Sequence, residues 1–287
     1  MNELLELFST NIYFRLVASL ILGMCIGSFL NVVVYRLPIM LDTMWRRQCQ
    51  ELVGDECKIN INNNGFNLMK PASHCPNCKA YVPWWSNVPL FGYLFIRGRC
   101  VSCHSKVSLR YPIVEIVTGA LFILSSYCYN NVLTLAAVFV YVSCLFALML
   151  IDLDTFLLPD EITLPLLWLG LLCNINGLFS GSLANSVCGA VIGYIFLWAL
   201  YWLFKFITGK EGMGYGDFKL LAAIGAWIGW QNLVSVLLLS SILGIIYAVI
   251  MRISGSLESG KPIPFGPFLG GAGIITLLFG AHLFPIF

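Results

Sequence analysis

Six residues in this chain of 287 have the types and spacing to do chemistry: two aspartates and four cysteines. Asp217 closes the stretch Gly212-Met213-Gly214-Tyr215-Gly216-Asp217, and an apolar run starts straight after it. Asp152 ends another apolar run, in Leu150-Ile151-Asp152-Leu153-Asp154. A carboxylate at the mouth of a membrane helix is costly and by default marks a functional site. Two carboxyl groups a few ångströms apart cannot both ionise cheaply, so such a pair holds one proton between them. The charged member takes a proton from water and the neutral one donates to a peptide carbonyl, which is acid-pair peptide hydrolysis. The glycines before Asp217 leave room for a second backbone. Asp152 and Asp217 are therefore read as one site. The plainer alternatives are that both acids only end helices, or that they carry ions or protons. Asp154, Asp160 and Glu161 are read as solvated or helix-capping.

The cysteines form two pairs, Cys75-Pro76-Asn77-Cys78 and Cys100-Val101-Ser102-Cys103, with 21 residues between them. This spacing suits a tetrahedral zinc ion held by Cys75, Cys78, Cys100 and Cys103. Four thiolates leave no open position, so the metal is expected to be structural and to supply much of the folding energy of its loop. A redox dithiol is the competing reading. His74 and His104 each neighbour a cysteine and are expected outside the ligand set. Cys49 and Cys57 lack partner spacing, and the remaining five cysteines sit in apolar runs as small hydrophobes.

The elements that must position these residues are membrane helices. The chain is 59% hydrophobic and only 10% charged, where a soluble domain carries roughly a quarter charged residues. Apolar runs at about 11–35, 112–129, 132–151, 161–179, 184–207, 218–230, 233–251 and 265–285 predict an all-α polytopic protein with about eight transmembrane helices. Continuous runs exclude a strand-alternating barrel. The 218–230 run is short for a span. The first run is expected to be retained rather than cleaved, because Glu3 and Glu6 precede it and no small-residue cleavage site follows. Its Gly23-x3-Gly27-Ser28 spacing predicts close helix packing, and Leu37-Pro38 is expected to end it.

Three regions follow: 1–35 as the first helix, 36–111 as a polar loop domain, and 112–287 as the membrane domain. The loop opens with Met40, Leu41, Met44, Trp45 and Leu52 at near-helical spacing. An asparagine-rich connection spans 59–67. With the 36–111 loop in the cytosol, of 16 Lys and Arg only Arg15 falls at the outer side. The positive-inside rule selects that orientation, which puts Asp152 and Asp217 on the cytosolic face.

Gly214-Tyr215-Gly216-Asp217 resembles the GxGD signature of membrane aspartic proteases. Asp152 followed by Leu158-Pro159-Asp160 resembles the other half of the type IV prepilin peptidase pattern. Gly27-Ser28-Phe29-Leu30-Asn31-Val32 and Tyr35-Arg36-Leu37-Pro38 resemble that family's first helix, and the paired CxxC loop fits as well. The resemblance covers nearly the whole chain and is to the bacterial prepilin leader peptidase/N-methyltransferases. It implies Asp152 and Asp217 as the catalytic acids, with Asp154 the nearby alternative, and it matches Lys219. It implies cleavage of the leader from type IV prepilins and related pseudopilins at the cytosolic face of the bacterial inner membrane. It also implies N-methylation of the new amino terminus with S-adenosyl-L-methionine, placed with the loop that contains Arg97-Gly98-Arg99. No glycine-rich cofactor loop is visible, and the methyl-donor contacts are left unassigned. Membrane lipid is an expected partner and nucleic acid is not. The alternative from another class is a zinc-stapled transporter or assembly scaffold without peptidase activity.

Overall fold

A computed structural model describes residues 8, 10–53, 66–179, 182–255 and 263–283. Cys57, Lys58, Glu3, Glu6, Lys261, residues 59–65 of the asparagine-rich segment and the Ser180-Gly181 break lie outside the described residues. Nine α-helices are described: α1 Ile12–Val53, α2 Phe91–Phe95, α3 Arg110–Cys128, α4 Val132–Thr155, α5 Asp160–Ile175, α6 Leu183–Thr208, α7 Tyr215–Ile228, α8 Leu233–Ile253 and α9 Gly266–Leu283. No strand is present among the described residues, only two isolated bridges. Five helices, α1, α3, α4, α6 and α8, are long and apolar enough to cross a membrane. The protein is an all-helical polytopic membrane protein.

The eight apolar runs each become a helix, with ends a few residues from the expected ones. One boundary is corrected. The first helix does not stop at Pro38 but runs to Val53 with Pro38 inside it. A proline removes one N–H and crowds the carbonyl four residues back. A 42-residue helix keeps its remaining hydrogen bonds on both sides of that step. The amphipathic stretch after Pro38 is thus the continuation of α1, with Leu41 buried and Leu52 exposed.

The described residues form two compact units, one within 11–123 and one within 124–283 together with residues 8 and 10. In the first unit, α1 and α3 meet through small residues. A Cβ on Gly23 would lie 2.8 Å from the Gly119 Cα, and one on Gly27 2.8 Å from the Glu115 Cα. That is the close approach expected of small-x3-small spacing. Asn31 Nδ2 donates to the Tyr111 carbonyl at 3.2 Å. Buried Arg36 donates to the carbonyls of Asn67, Leu68 and Pro71 at 3.0, 3.3 and 2.7 Å, tying the loop to α1.

In the second unit α7 is the central element. Ten of its residues, from Asp217 to Trp227, are buried, and it packs against α5, α6, α8 and α9. Its 14 residues rise only about 21 Å, short of the ~30 Å apolar core of a bilayer. α6 approaches it backbone to backbone: a Cβ on Gly225 would sit 2.3 Å from the Gly189 carbonyl oxygen. α9 packs on α4, α7 and α8. Tyr141 of α4 and Trp227 of α7 pack with ring centroids 4.9 Å apart, tilted by 45°.

Candidate active site and metal centre

Each aspartate is placed by a helix terminus. Asn131 caps the start of α4 by accepting from the Leu133 and Thr134 N–H groups. The end of α4 is set by Phe156, whose left-handed backbone (φ 56°) returns its N–H to the Asp152 carbonyl at 2.9 Å. Asp152 therefore lies in the last turn of α4, 5% exposed, while Asp154 is exposed. The Asp152 carboxylate meets the start of α9, where its Oδ2 accepts the Gly266 N–H at 3.0 Å. First-turn N–H groups have no partner within their own helix, and their partial positive charge favours an anion there.

Asp217 lies in the first turn of α7, 6% exposed, and its N–H closes onto the Gly214 carbonyl at 3.3 Å. Gly214, in extended conformation, caps the helix. Gly216 is needed for close approach, since a Cβ there would lie 2.8 Å from the Leu158 Cβ. The Leu158-Pro159 turn between α4 and α5 thus rests directly on the glycine preceding Asp217. α4 and α7 are brought together by α5 and α9, which pack on both. The arrangement offers two buried carboxylates, each at a helix N-terminus, at one end of one helical unit.

The surrounding polar groups fix the loops. Lys219 Nζ bonds both oxygens of Asp160, at 2.8 and 2.7 Å, linking the start of α7 to the start of α5. Lys219 is thereby engaged outside the acid pair, and Asp160 is an ion-pair partner rather than merely solvated. Lys205 Nζ donates to Glu211 Oε1 at 2.8 Å and to the Tyr201 hydroxyl at 3.2 Å, holding the loop before Gly212 onto α6. The Lys205 ammonium keeps the Glu211 carboxyl below its ordinary value, first through this hydrogen bond and then through its charge.

In the first unit the four cysteines converge. The sulfurs of Cys75, Cys78, Cys100 and Cys103 all lie within 4.8 Å of one another. Cys75 and Cys103 are 3.8 Å apart, and Cys78 and Cys100 are 3.9 Å apart. A tetrahedron of Zn–S bonds of about 2.3 Å has sulfur–sulfur edges of about 3.8 Å, so the cluster is compatible with zinc. The two pairs fold alike. Lys79 N–H returns to the Cys75 carbonyl and His104 N–H to the Cys100 carbonyl, with Lys79 and His104 both at positive φ. In the first pair the turn aims the backbone N–H groups of Asn77 and Cys78 at the Cys75 sulfur. The N–H groups of Cys78 and Asn77, with the Ser105 side chain, lower the Cys75 thiol to about 6. Ser105 also lowers that of Cys103. Against the lowering Ala80 N–H, burial and the neighbouring cysteine sulfurs instead push the Cys78 thiol up to about 11, so the thiolate form that a metal requires is favoured at Cys75 and Cys103. His74 turns to the Ala72 carbonyl at 3.2 Å, and neither histidine belongs to the cluster. Cys49 is exposed near the end of α1. Arg97-Gly98 forms the turn after α2, with both residues at positive φ and Gly98 against the Tyr93 ring.

Residues 21–129 match the Bacterial Peptidase A24 N-terminal domain, and residues 139–249 match the Type IV leader peptidase family. The chain is 45% identical to a prepilin leader peptidase/N-methyltransferase of Stutzerimonas stutzeri, over 97% of this chain and 95% of the relative. The chain belongs to the type IV leader peptidase family. It is also 46% identical to the prepilin leader peptidase/N-methyltransferase of Pseudomonas putida, over 95% of this chain and 93% of the relative. To that of Pseudomonas aeruginosa it is 47% identical, over 92% and 90%. No solved structure matches it.

The four cysteines fall within the first matched segment, and both aspartates within the second. Gly266 lies beyond both, and sequence reasoning passed over it. The signal was a glycine between two prolines, Pro264-Phe265-Gly266-Pro267, at the mouth of the last apolar run. Glu115 was also passed over. It is buried in α3 of the first unit, and its Oε2 accepts the Leu90 N–H at 2.8 Å.

Proposed function

We propose that this protein is the aspartic endopeptidase of the type IV leader peptidase family, with Asp152 and Asp217 as its catalytic acids. It removes the leader from type IV prepilins and related pseudopilins and then methylates the new amino terminus. The observation that carries the reading is the pair of buried carboxylates at the end of α4 and the start of α7, two helices that α5 and α9 both pack against.

The pair works with one proton between its members. The ionised carboxylate takes a proton from a water molecule, whose oxygen attacks the scissile carbonyl carbon. The neutral carboxyl gives its proton to the carbonyl oxygen, leaving a tetrahedral diol. Return of a proton to the peptide nitrogen and collapse of the diol release the leader acid and a free amine. The Gly266 N–H holds Asp152 in position, and the Leu158 contact at Gly216 sets the entry of α7. Burial excludes bulk water from the carboxylates and strengthens their interaction.

In this reading the 36–111 segment is a cytosolic loop domain whose Cys75, Cys78, Cys100 and Cys103 hold one structural zinc ion. Residues 112–287 form the peptidase domain of a multi-pass inner-membrane protein with about eight spans. The basic loops and the two acids share the cytosolic side, where a prepilin's charged leader stays while its apolar segment lies among lipids. S-adenosyl-L-methionine supplies an electrophilic methyl group for the second reaction. The test is mass analysis of a purified prepilin after incubation with the full-length protein in detergent. Leader loss with the methyl donor absent, and leader loss plus one methyl group with it present, is the expected result. An intact prepilin in both samples would contradict the reading and favour a transporter or scaffold.

A further inference from the structure

The 124–283 unit contains a second polar space, at the opposite end from the two acids. Asp152, Asp217 and Gly266 mark the end of α4, the start of α7 and the start of α9. A cavity of about 420 Å³ is lined by the other ends of the same helices, among them Thr134 of α4, Trp227 of α7 and Thr276 of α9. Exposed Asn130 and Asn131 stand at its mouth, and Asn174, Thr276 and Trp227 are buried around it.

Three properties define what fits there. The first is an orphaned acceptor. Asn174 Nδ2 donates to the carbonyls of Gly170, Ala226 and Trp227 at 3.1, 3.1 and 3.3 Å. A flipped amide would set its oxygen against three carbonyl oxygens, so Oδ1 is fixed as the free atom. Asn174 is 5% exposed and Oδ1 has no partner; Thr276 Oγ1 is likewise unpartnered at 4% exposure. Buried polar atoms without partners are rare and call for an explanation, and an amide oxygen can only accept. The second is charge: among the described residues, no Lys, Arg, His, Asp or Glu lines the cavity. The third is its aromatic wall. Tyr129 meets Phe179 edge-on at 6.3 Å, and Phe179 meets Trp227 at 5.8 Å. Trp227 is locked by its indole N–H on the Leu166 carbonyl at 2.8 Å.

Among the described residues a phosphate or carboxylate would find no cation here, and it would face a fixed acceptor. A cation that carries N–H donors satisfies Asn174 and Thr276 and gains from the ring faces. We propose that this cavity binds a primary ammonium group. Its sources are the headgroup of an ethanolamine phospholipid in the surrounding bilayer or a small soluble amine. The site lies away from the acid pair and stabilises the helix ends that Asn174 and Trp227 join.

The test uses delipidated, full-length protein in detergent. Its melting temperature is measured with added phosphatidylethanolamine, phosphatidylcholine, phosphatidylglycerol or free ethanolamine. Phosphatidylethanolamine is expected to raise it by about 3 °C, while phosphatidylcholine, whose ammonium has no N–H, and phosphatidylglycerol do not. Thr276→Val keeps the side-chain shape and removes an orphaned hydroxyl, so it folds. It is expected to need at least about tenfold more phosphatidylethanolamine for the same shift, with leader cleavage unchanged. Asn174→Leu should abolish the shift if it folds. A matching shift with free ethanolamine assigns the soluble source, and its absence assigns the lipid. Equal shifts with all three lipids, no shift with any ammonium compound, or an unaltered Thr276→Val response would overturn the proposal.

Discussion

Gly266→Ala should disable leader cleavage without touching either aspartate. The backbone of Gly266 donates to Asp152 Oδ2 at 3.0 Å. An added Cβ would lie 2.6 Å from that oxygen and 3.1 Å from the carboxylate carbon. Ordinary carbon–oxygen contacts sit near ~3.4 Å, so the carboxylate must swing away or α9 must retreat. Either movement breaks the hydrogen bond. A hydrogen bond to a charged group is worth about 1.5–3 kcal/mol, which converts to a factor of roughly 10 to 150. A misplacement of this size in a catalytic pair has a similar effect on rate, about 10²-fold. We therefore expect cleavage of a purified prepilin to fall by roughly two orders of magnitude per folded molecule. Gly271→Ala is the control: the same substitution on the same helix meets only the Met149 Cε at 3.7 Å and should retain at least about half the activity. Folded fraction is followed by melting in the same detergent. A folded Gly266→Ala protein that cleaves at the wild-type rate would refute the reasoning that this N–H positions Asp152.

Other consequences are independent of that bond. Full-length protein purified without added metal should carry one zinc per chain by atomic emission. Cys78→Ser or Cys103→Ser should lose it and make the loop more protease-sensitive; retention of stoichiometric zinc in either variant would contradict the four-thiolate site. Gly225→Ala, whose Cβ would meet the Gly189 carbonyl oxygen at 2.3 Å, should destabilise the α6–α7 contact by about 3 kcal/mol or prevent accumulation. Glu211 is lowered in the folded protein by Lys205, so its contribution to stability is complete above the unfolded carboxyl value. That contribution is lost as pH falls through the lower folded value. The melting temperature of wild type should therefore decline more steeply below pH ~4.3 than that of Glu211→Gln; parallel curves would count against it. Lys219→Ala removes a half-exposed pair with Asp160 and should lower stability by no more than about 1 kcal/mol, less at high salt.

Much of this was legible because membrane helices write themselves as long apolar runs. The helix ends near 112, 132, 161, 184, 218 and 233 are marked by Pro, Asn, Asp or Gly and shifted by only a few residues in the structure. The cysteine pairs were legible because metal geometry demands a fixed local spacing. Pro38 misled because a local rule about one lost hydrogen bond was outweighed by a helix long enough to continue past it. Asp152 and Asp154 differ by two positions and by nothing in composition. Only the turn of α4 buries one against Gly266 and exposes the other. The Gly266 contact joins residues 114 positions apart, and the Asn174 cavity likewise assembles from five stretches of chain. No local pattern announces contacts of that kind.

The central claim is the acid pair, and its most direct test is prepilin cleavage by detergent-solubilised wild type, Asp152→Asn, Asp154→Asn and Asp217→Asn at equal folded concentration. Buried Asp152 and Asp217 should each be indispensable, while exposed Asp154 should be dispensable. Loss of cleavage in the 152 and 217 variants with activity retained in the 154 variant is the predicted result. Cleavage at the wild-type rate by either the 152 or the 217 variant would contradict the account.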